Sequence, residues 1–213
     1  MSSATPDPAD LTARARIRDA AMRHFGEHGF DAATIRGIAE TAGVSSGLIR
    51  HHFGSKQALR EACDQHLVAL IRRLNDEVRA DPFGGEVNQV ALARAAMGPY
   101  QRYLGRALAE GAATAVFDEM VALSEQWIVD GDARRSDPPE VQARPRAVVA
   151  TAMALSVAVL HEQISRGLGV EVFSPAGDEL LARTLLEIYS RPMLTPAEAK
   201  LARAALDRSR PGD

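Results

Sequence analysis

Residues 42–59 read AGVSSGLIRHHFGSKQAL, and this stretch decides the fold. It gathers glycines, serines, an arginine, two adjacent histidines and a lysine. Few of these make a strong helix or fill a core. Yet the segment lies between runs that read plainly as helix. In 45–53 the apolar residues are Leu48, Ile49 and Phe53, and the last two are four apart, so they can pack together on one side. That leaves Ser45, Ser46, Gly47, Arg50 and His51 on the outer side. Gly47 costs about 1 kcal/mol relative to alanine inside a helix. A return for that cost is close approach of a DNA backbone. Ser45, Ser46 and the amides at the helix start can donate to phosphates. Arg50 can reach a phosphate or a guanine edge.

Working outward, Gly43 ends a short helix that starts after the cap residue Thr34 and carries Ile35, Ile38, Ala39 and Ala42. Val44 is an apolar plug between the two short helices. A longer helix, about 11–28, precedes them, with Ile17, Ala20, Ala21 and Phe25 on one face. Gly29 is its expected cap, and Phe30 folds back toward that face. On the other side Ser55 caps a long helix running to about Arg79, and Lys56 adds a charge for the backbone. Two short helices joined through a glycine turn and braced by a third form a helix-turn-helix.

The run TIRGIAETAGVSSGLIRHHFGSKQAL resembles the N-terminal signature of TetR-type transcriptional regulators. Thr34, Ile38, Ala39, Ala42, Gly43, Val44, Ser45, Gly47, His52, Phe53, Lys56 and Leu59 match its pattern, and RIRDAAMRHFGEHGFDAAT resembles the family's first helix. The resemblance covers about residues 12–60. It implies DNA contacts from Thr34, Arg36, Ser45, Ser46 and Gly47, and from Leu48, Arg50, His51, His52 and Lys56. Plainer roles stand beside these: a cap for Thr34, a structural imidazole for His52, a solvated charge for Arg36. Arg50 departs from the pattern, standing where the family often has a tyrosine. Leu48 can touch a thymine methyl or pack inward.

Charge is distributed accordingly. The net charge of -3 argues against a general nucleic-acid binder. Residues 11–60, however, hold eight Arg and Lys against four Asp and Glu, while 61–213 hold seventeen against twenty-two. A basic head on an acidic body is what a DNA-binding module gives. The single cysteine, Cys63, allows no internal disulfide. No N-terminal leader pattern is present, and the most apolar run, 148–160, is too short to span a bilayer. The expected setting is the cytoplasm.

Beyond residue 60, Pro and Gly clusters separate Ala-, Leu-, Arg- and Glu-rich segments, and no run alternates as a strand does. Asp137-Pro-Pro-Glu140, Ser174-Pro175 and Thr195-Pro-Ala-Glu198 read as helix starts. The expected fold is all-α: a tail over 1–11, a helix-turn-helix domain over 12–54, and a helical ligand-binding and dimerisation domain over 55–213. Its segments are 86–110, split near Gly98-Pro99, then 111–130, 140–168, 175–190 and 196–208.

By resemblance, the segments 144–168 and 176–190 pair with those of a second copy. Val148, Met153, Leu155 and Leu160 mark the first, and Leu180, Leu181, Leu185 and Ile188 the second. An effector pocket among the long helices has Met97, Tyr100, Tyr103 and Phe117 as candidate lining, with Met120, Trp127 and His161.

Enzyme chemistry finds no support. His161-Glu162-Gln-Ile-Ser165 lacks the second histidine of the zinc-protease helix. His24 and His28 have no further ligands at metal spacing. Gly167-Leu-Gly169 follows a helix rather than a strand. Cys63 has no activating partner in sequence. The expected protein is thus a homodimeric, ligand-responsive regulator, more a repressor than an activator. It is expected to bind a near-palindromic double-stranded operator, answer to a small-molecule effector, and need no cofactor or metal. The alternative is a helical small-molecule or partner-binding protein without sequence-specific DNA binding.

Overall fold

A computed structural model describes residues 8–80, 96–191 and 193–208. Among them lie ten α-helices and no strand. They are α1 (Pro8–His28), α2 (Ile35–Ala42), α3 (Ser46–Phe53), α4 (Lys56–Ala80), α5 (Gln101–Ala109), α6 (Thr114–Asp132), α7 (Ala143–Val159), α8 (His161–Leu168), α9 (Pro175–Ser190) and α10 (Pro196–Arg208). A 3₁₀ turn, Gly98–Tyr100, leads into α5. The all-α class expected from the sequence is the one found. α1 begins at Pro8, inside the expected tail. The expected stop at Asp81-Pro-Phe-Gly-Gly85 and the first part of the 86–110 segment lie outside the described residues.

The chain divides into two compact units, 1–164 and 165–213. In the first, Ile17, Ala21 and Phe25 of α1 pack with Ile38 and Ala39 of α2, and with Ile49 and Phe53 of α3. Leu59, Cys63 and Leu67 of α4 complete the same cluster, which continues into Tyr103, Leu104, Val116 and Leu155. The expected boundary at 54/55 therefore falls inside one continuous core. Burial pushes the Cys63 thiol far above its ordinary range, which keeps it unreactive. α5 and α7 meet backbone to backbone: a methyl group added at Gly105 would overlap the Ala158 carbonyl.

Two expected helix boundaries are corrected. Asp137-Pro-Pro-Glu140 starts no helix; α7 begins at Ala143. A proline disfavours the α conformation of the residue before it, so Pro139 holds Pro138 out of a helical turn. The Asp137 carboxylate accepts instead from Arg135, at 3.2 and 3.3 Å. The expected 140–168 segment is also broken at Leu160, which separates α7 from α8.

In the second unit Ser174 caps α9, its Oγ accepting from Gly177 N at 3.1 Å, with Pro175 at the first helical position. Thr195 and Glu198 form the expected capping box at α10: Thr195 N donates to Glu198 Oε2 at 2.8 Å, and Glu198 N to Thr195 Oγ1 at 3.3 Å.

Candidate nucleic-acid interface

The head is built from local rules. Thr34 stands extended before α2, and its Oγ1 accepts from Gly37 N at 3.1 Å. Gly43 closes α2 in the left-handed region, φ 65°, where glycine pays no Cβ penalty. Its neighbour Val44 donates its amide to Ala39 O at 3.0 Å and packs against the core. Ser45 then caps α3, its Oγ accepting from Leu48 N at 3.2 Å. One long-range bond fixes α1 against α2: His24 Nε2 and Thr41 Oγ1 lie 2.7 Å apart.

α3 presents what the stretch promised. Ile49 and Phe53 are buried, while Ser45, Ser46, Gly47, Arg50 and His51 are exposed. No acidic residue occupies the first turn of α3, so its partial positive end is unopposed there. Among the described residues Gly47 is not held by sterics: an added Cβ would meet only Ser45 Oγ, at 3.7 Å. Leu48 and His52 are half-buried, and the His52 Nε2 atom is buried with no hydrogen-bond partner among the described residues. Arg36 projects into solvent, its side chain 88% exposed and 3.9 Å from Glu40 one turn on.

Lys56 stands apart from the other expected contacts. Its Nζ donates to Phe30 O at 2.7 Å, Ala33 O at 3.0 Å and Asp31 O at 3.2 Å. The ammonium also lies 4.5 Å from the centre of the Phe30 ring. All three of its protons are committed to the α1–α2 turn. Spacing alone holds no signal for that bond set, because its partners lie 23 to 26 residues away. A second tie holds the same turn, since Glu110 Oε1 accepts from Phe30 N at 3.3 Å and Glu110 Oε2 lies 3.6 Å from Arg60.

The expected pocket residues divide. Met97, Tyr100, Phe117 and Met120 pack against the core that holds Tyr103. The Tyr103 hydroxyl donates to Asp64 Oδ1 at 2.5 Å. Burial raises the Asp64 carboxyl above its ordinary value, and the Tyr103 bond and Arg60 oppose that rise. Trp127 is used elsewhere, donating to Asn75 Oδ1 at 2.9 Å beneath the Arg79 guanidinium. His161 is half-buried on α8. Of the expected dimer residues, Val148, Met153 and Leu160 are exposed in the first unit, as are Leu180 and Ile188 in the second. Leu185 is half-buried. Leu155 and Leu181 face inward, 6% and 8% exposed, and are spent inside the chain.

Two capped short helices with an exposed, glycine-bearing, cationic face define a helix-turn-helix DNA-binding protein. Residues 17–63 match the family model for bacterial regulatory proteins of the tetR family. Over 212 residues the chain is 34% identical to the HTH-type transcriptional regulatory protein RaaS of Mycobacterium tuberculosis, covering 92% of this chain and 95% of that one. Over 59 residues it is 46% identical to the HTH-type transcriptional repressor AcnR of Corynebacterium efficiens, covering 28% of this chain and 31% of that protein. Among solved structures, the fatty acid degradation regulator FadR from Bacillus halodurans aligns with a TM-score of 0.59 at 15% identity, over 79% of this chain and 90% of that one. A gamma-butyrolactone receptor aligns at 0.58 and 20% identity, over 72% and 82%. These two likenesses show the fold.

The chain belongs to the TetR family. It is a DNA-binding transcriptional regulator, not an enzyme. Among the described residues no single helix is long and apolar enough to cross a membrane.

Proposed function

We propose that this protein is a cytoplasmic, ligand-responsive repressor that binds a near-palindromic operator as a homodimer and leaves it when a small molecule binds. The observation that carries this function is the start of α3. There a capped helix end, two exposed serines and a glycine without steric need inside the chain stand beside Arg50. That combination suits a helix whose first turn meets phosphates and whose next turn meets base edges. Residues 12–54 act as the head and 55–213 as the body that senses the ligand and dimerises. The repressor sense is supported by the name of the AcnR relative.

The dimer is supported by apolar side chains left in solvent. Val148, Val149, Met153 and Leu160 are exposed on one segment, and Leu180, Leu186 and Ile188 on another. Soluble monomers seldom leave large apolar patches open. A two-fold dimer places its recognition helices about 34–36 Å apart, one per successive major groove. An effector lowers operator affinity only by its preference for heads at another spacing.

The test is selection of bound fragments from the source genome by the purified protein, at physiological salt with excess competitor DNA. A short near-palindrome is the expected product. Binding to it should weaken with salt at a slope of about 0.9 per phosphate contact. Recovery of bulk DNA alone would favour the alternative, a helical ligand-binding protein without operator recognition. Sedimentation then reports whether the bound species contains two chains.

A further inference from the structure

Arg14 and Arg18 stand one turn apart on α1. With Phe53 at the end of α3 and Ala62, Gln65 and His66 of α4, they line a cleft of about 210 Å³. That is room for about seven waters at roughly 30 Å³ each, and less than a drug-sized ligand needs. Its chemistry is one-sided. Two guanidiniums, an imidazole and an amide form the walls around the Phe53 ring and the Ala62 methyl, and among the described residues no carboxylate lines it.

The cations are unevenly compensated. The Arg14 guanidinium lies 5.0 Å from the centre of the Phe53 ring, and among the described residues no carboxylate pairs with it. Arg18 is held by Asp19 Oδ1, at 3.1 and 3.2 Å. The ring of His66 meets that of Tyr100 edge-on, with centroids 5.7 Å apart. Burial lowers the His66 pKa. Arg18 and Arg73 lower it further, and Asp19 opposes them. Positive charge is thus gathered around a concave apolar floor in a protein whose net charge is -3. Five of the six lining residues lie on α1 and α4, and Phe53 belongs to the buried side of α3.

We propose that this cleft binds a small organic oxyanion, a carboxylate or phosphate monoester carried on a compact apolar body of about one ring. The oxyanion lies between Arg14, which donates in the fork geometry that carboxylates and phosphates accept, and Arg18, which offers the Nη1 side that Asp19 leaves open. The apolar body rests on Ala62 and on the small part of the Phe53 ring left open beside the Arg14 guanidinium. This site goes beyond the operator and effector functions above and does not depend on them.

Calorimetric titration of the full-length protein with phenyl phosphate, at constant ionic strength without chloride, tests it. Saturable binding is expected. The affinity should fall about tenfold or more in Arg14→Ala, stay unchanged in Arg23→Ala on the exposed side of α1, and be absent for benzyl alcohol. The His66 ring should titrate at higher pH when phenyl phosphate is present, by proton resonance. A response without saturation, equal binding of benzyl alcohol, or an unchanged affinity in Arg14→Ala would overturn the assignment. So would displacement of phenyl phosphate by a duplex DNA fragment whose own binding Arg14→Ala weakens equally, because the cleft would then be a backbone contact.

Discussion

Replacing Gly47 by alanine separates what the fold wants from what the proposed DNA contact wants. Gly47 lies in the first turn of α3, is exposed, and is not among the residues with positive φ. An added Cβ would sit 3.7 Å from Ser45 Oγ, an ordinary contact. Alanine at such a site restricts the unfolded chain and favours helix, so the free protein should gain about 0.4–1 kcal/mol. For a chain of this size that raises the melting temperature by about 1–4 °C. The same methyl stands beside the Ser45 hydroxyl, which is proposed to meet a phosphate. Loss of one hydrogen bond to a charged group costs about 1.5–3 kcal/mol, or about 10- to 150-fold in affinity. Thermal melts and fluorescence anisotropy on the selected operator, at one fixed salt concentration, measure both numbers. A variant that melts lower, or binds the operator as tightly as the parent, would refute the reasoning.

Three more perturbations probe the frame around that helix. Lys56→Met removes three donors from the α1–α2 turn and should cost about 2–4 kcal/mol in urea unfolding; unchanged stability with weaker DNA binding would show that Lys56 serves the DNA instead. Gly105→Ala forces a methyl group into the Ala158 carbonyl and should destabilise by about 1–3 kcal/mol or more, because two backbones rather than a flexible side chain must yield; a neutral result would mean α5 and α7 are not in contact. Asp64→Asn tests the buried carboxyl. Its folded pKa is raised, so the stability tied to its protonated form is complete below the unfolded value and is lost as pH rises through the folded one. The variant should therefore gain on the parent as pH rises above about 4, and a stability difference that does not vary with pH would remove this role.

Local chemistry carried most of what could be read in advance. Thr34, Ser45 and Ser55 each cap the helix assigned to them, because a cap is decided within three residues. Asp137 failed as a cap because the second proline constrains the first and Arg135 takes the carboxylate. The break at Leu160 has no proline or glycine to announce it. The bonds of Lys56 were illegible for a different reason. Its partners are carbonyls of a distant turn, and no spacing rule reports which way a lysine turns. Periodicity likewise showed apolar faces on α7 and α9 but not which residues the chain keeps for itself, as Leu155 and Leu181 show. The pocket candidates Met97, Tyr100, Tyr103, Phe117 and Met120 do gather around one core, whereas Trp127 is engaged with Asn75.

Lys56 and Lys200 are the only lysines in the chain. One is engaged with three carbonyls, and the other is exposed on α10. An amine-directed acylating reagent should therefore mark Lys200 at once and Lys56 only when the α1–α2 turn opens. Peptide mass spectrometry of a timed reaction would read that opening as the ratio of two peptides, with Lys200 as the internal clock.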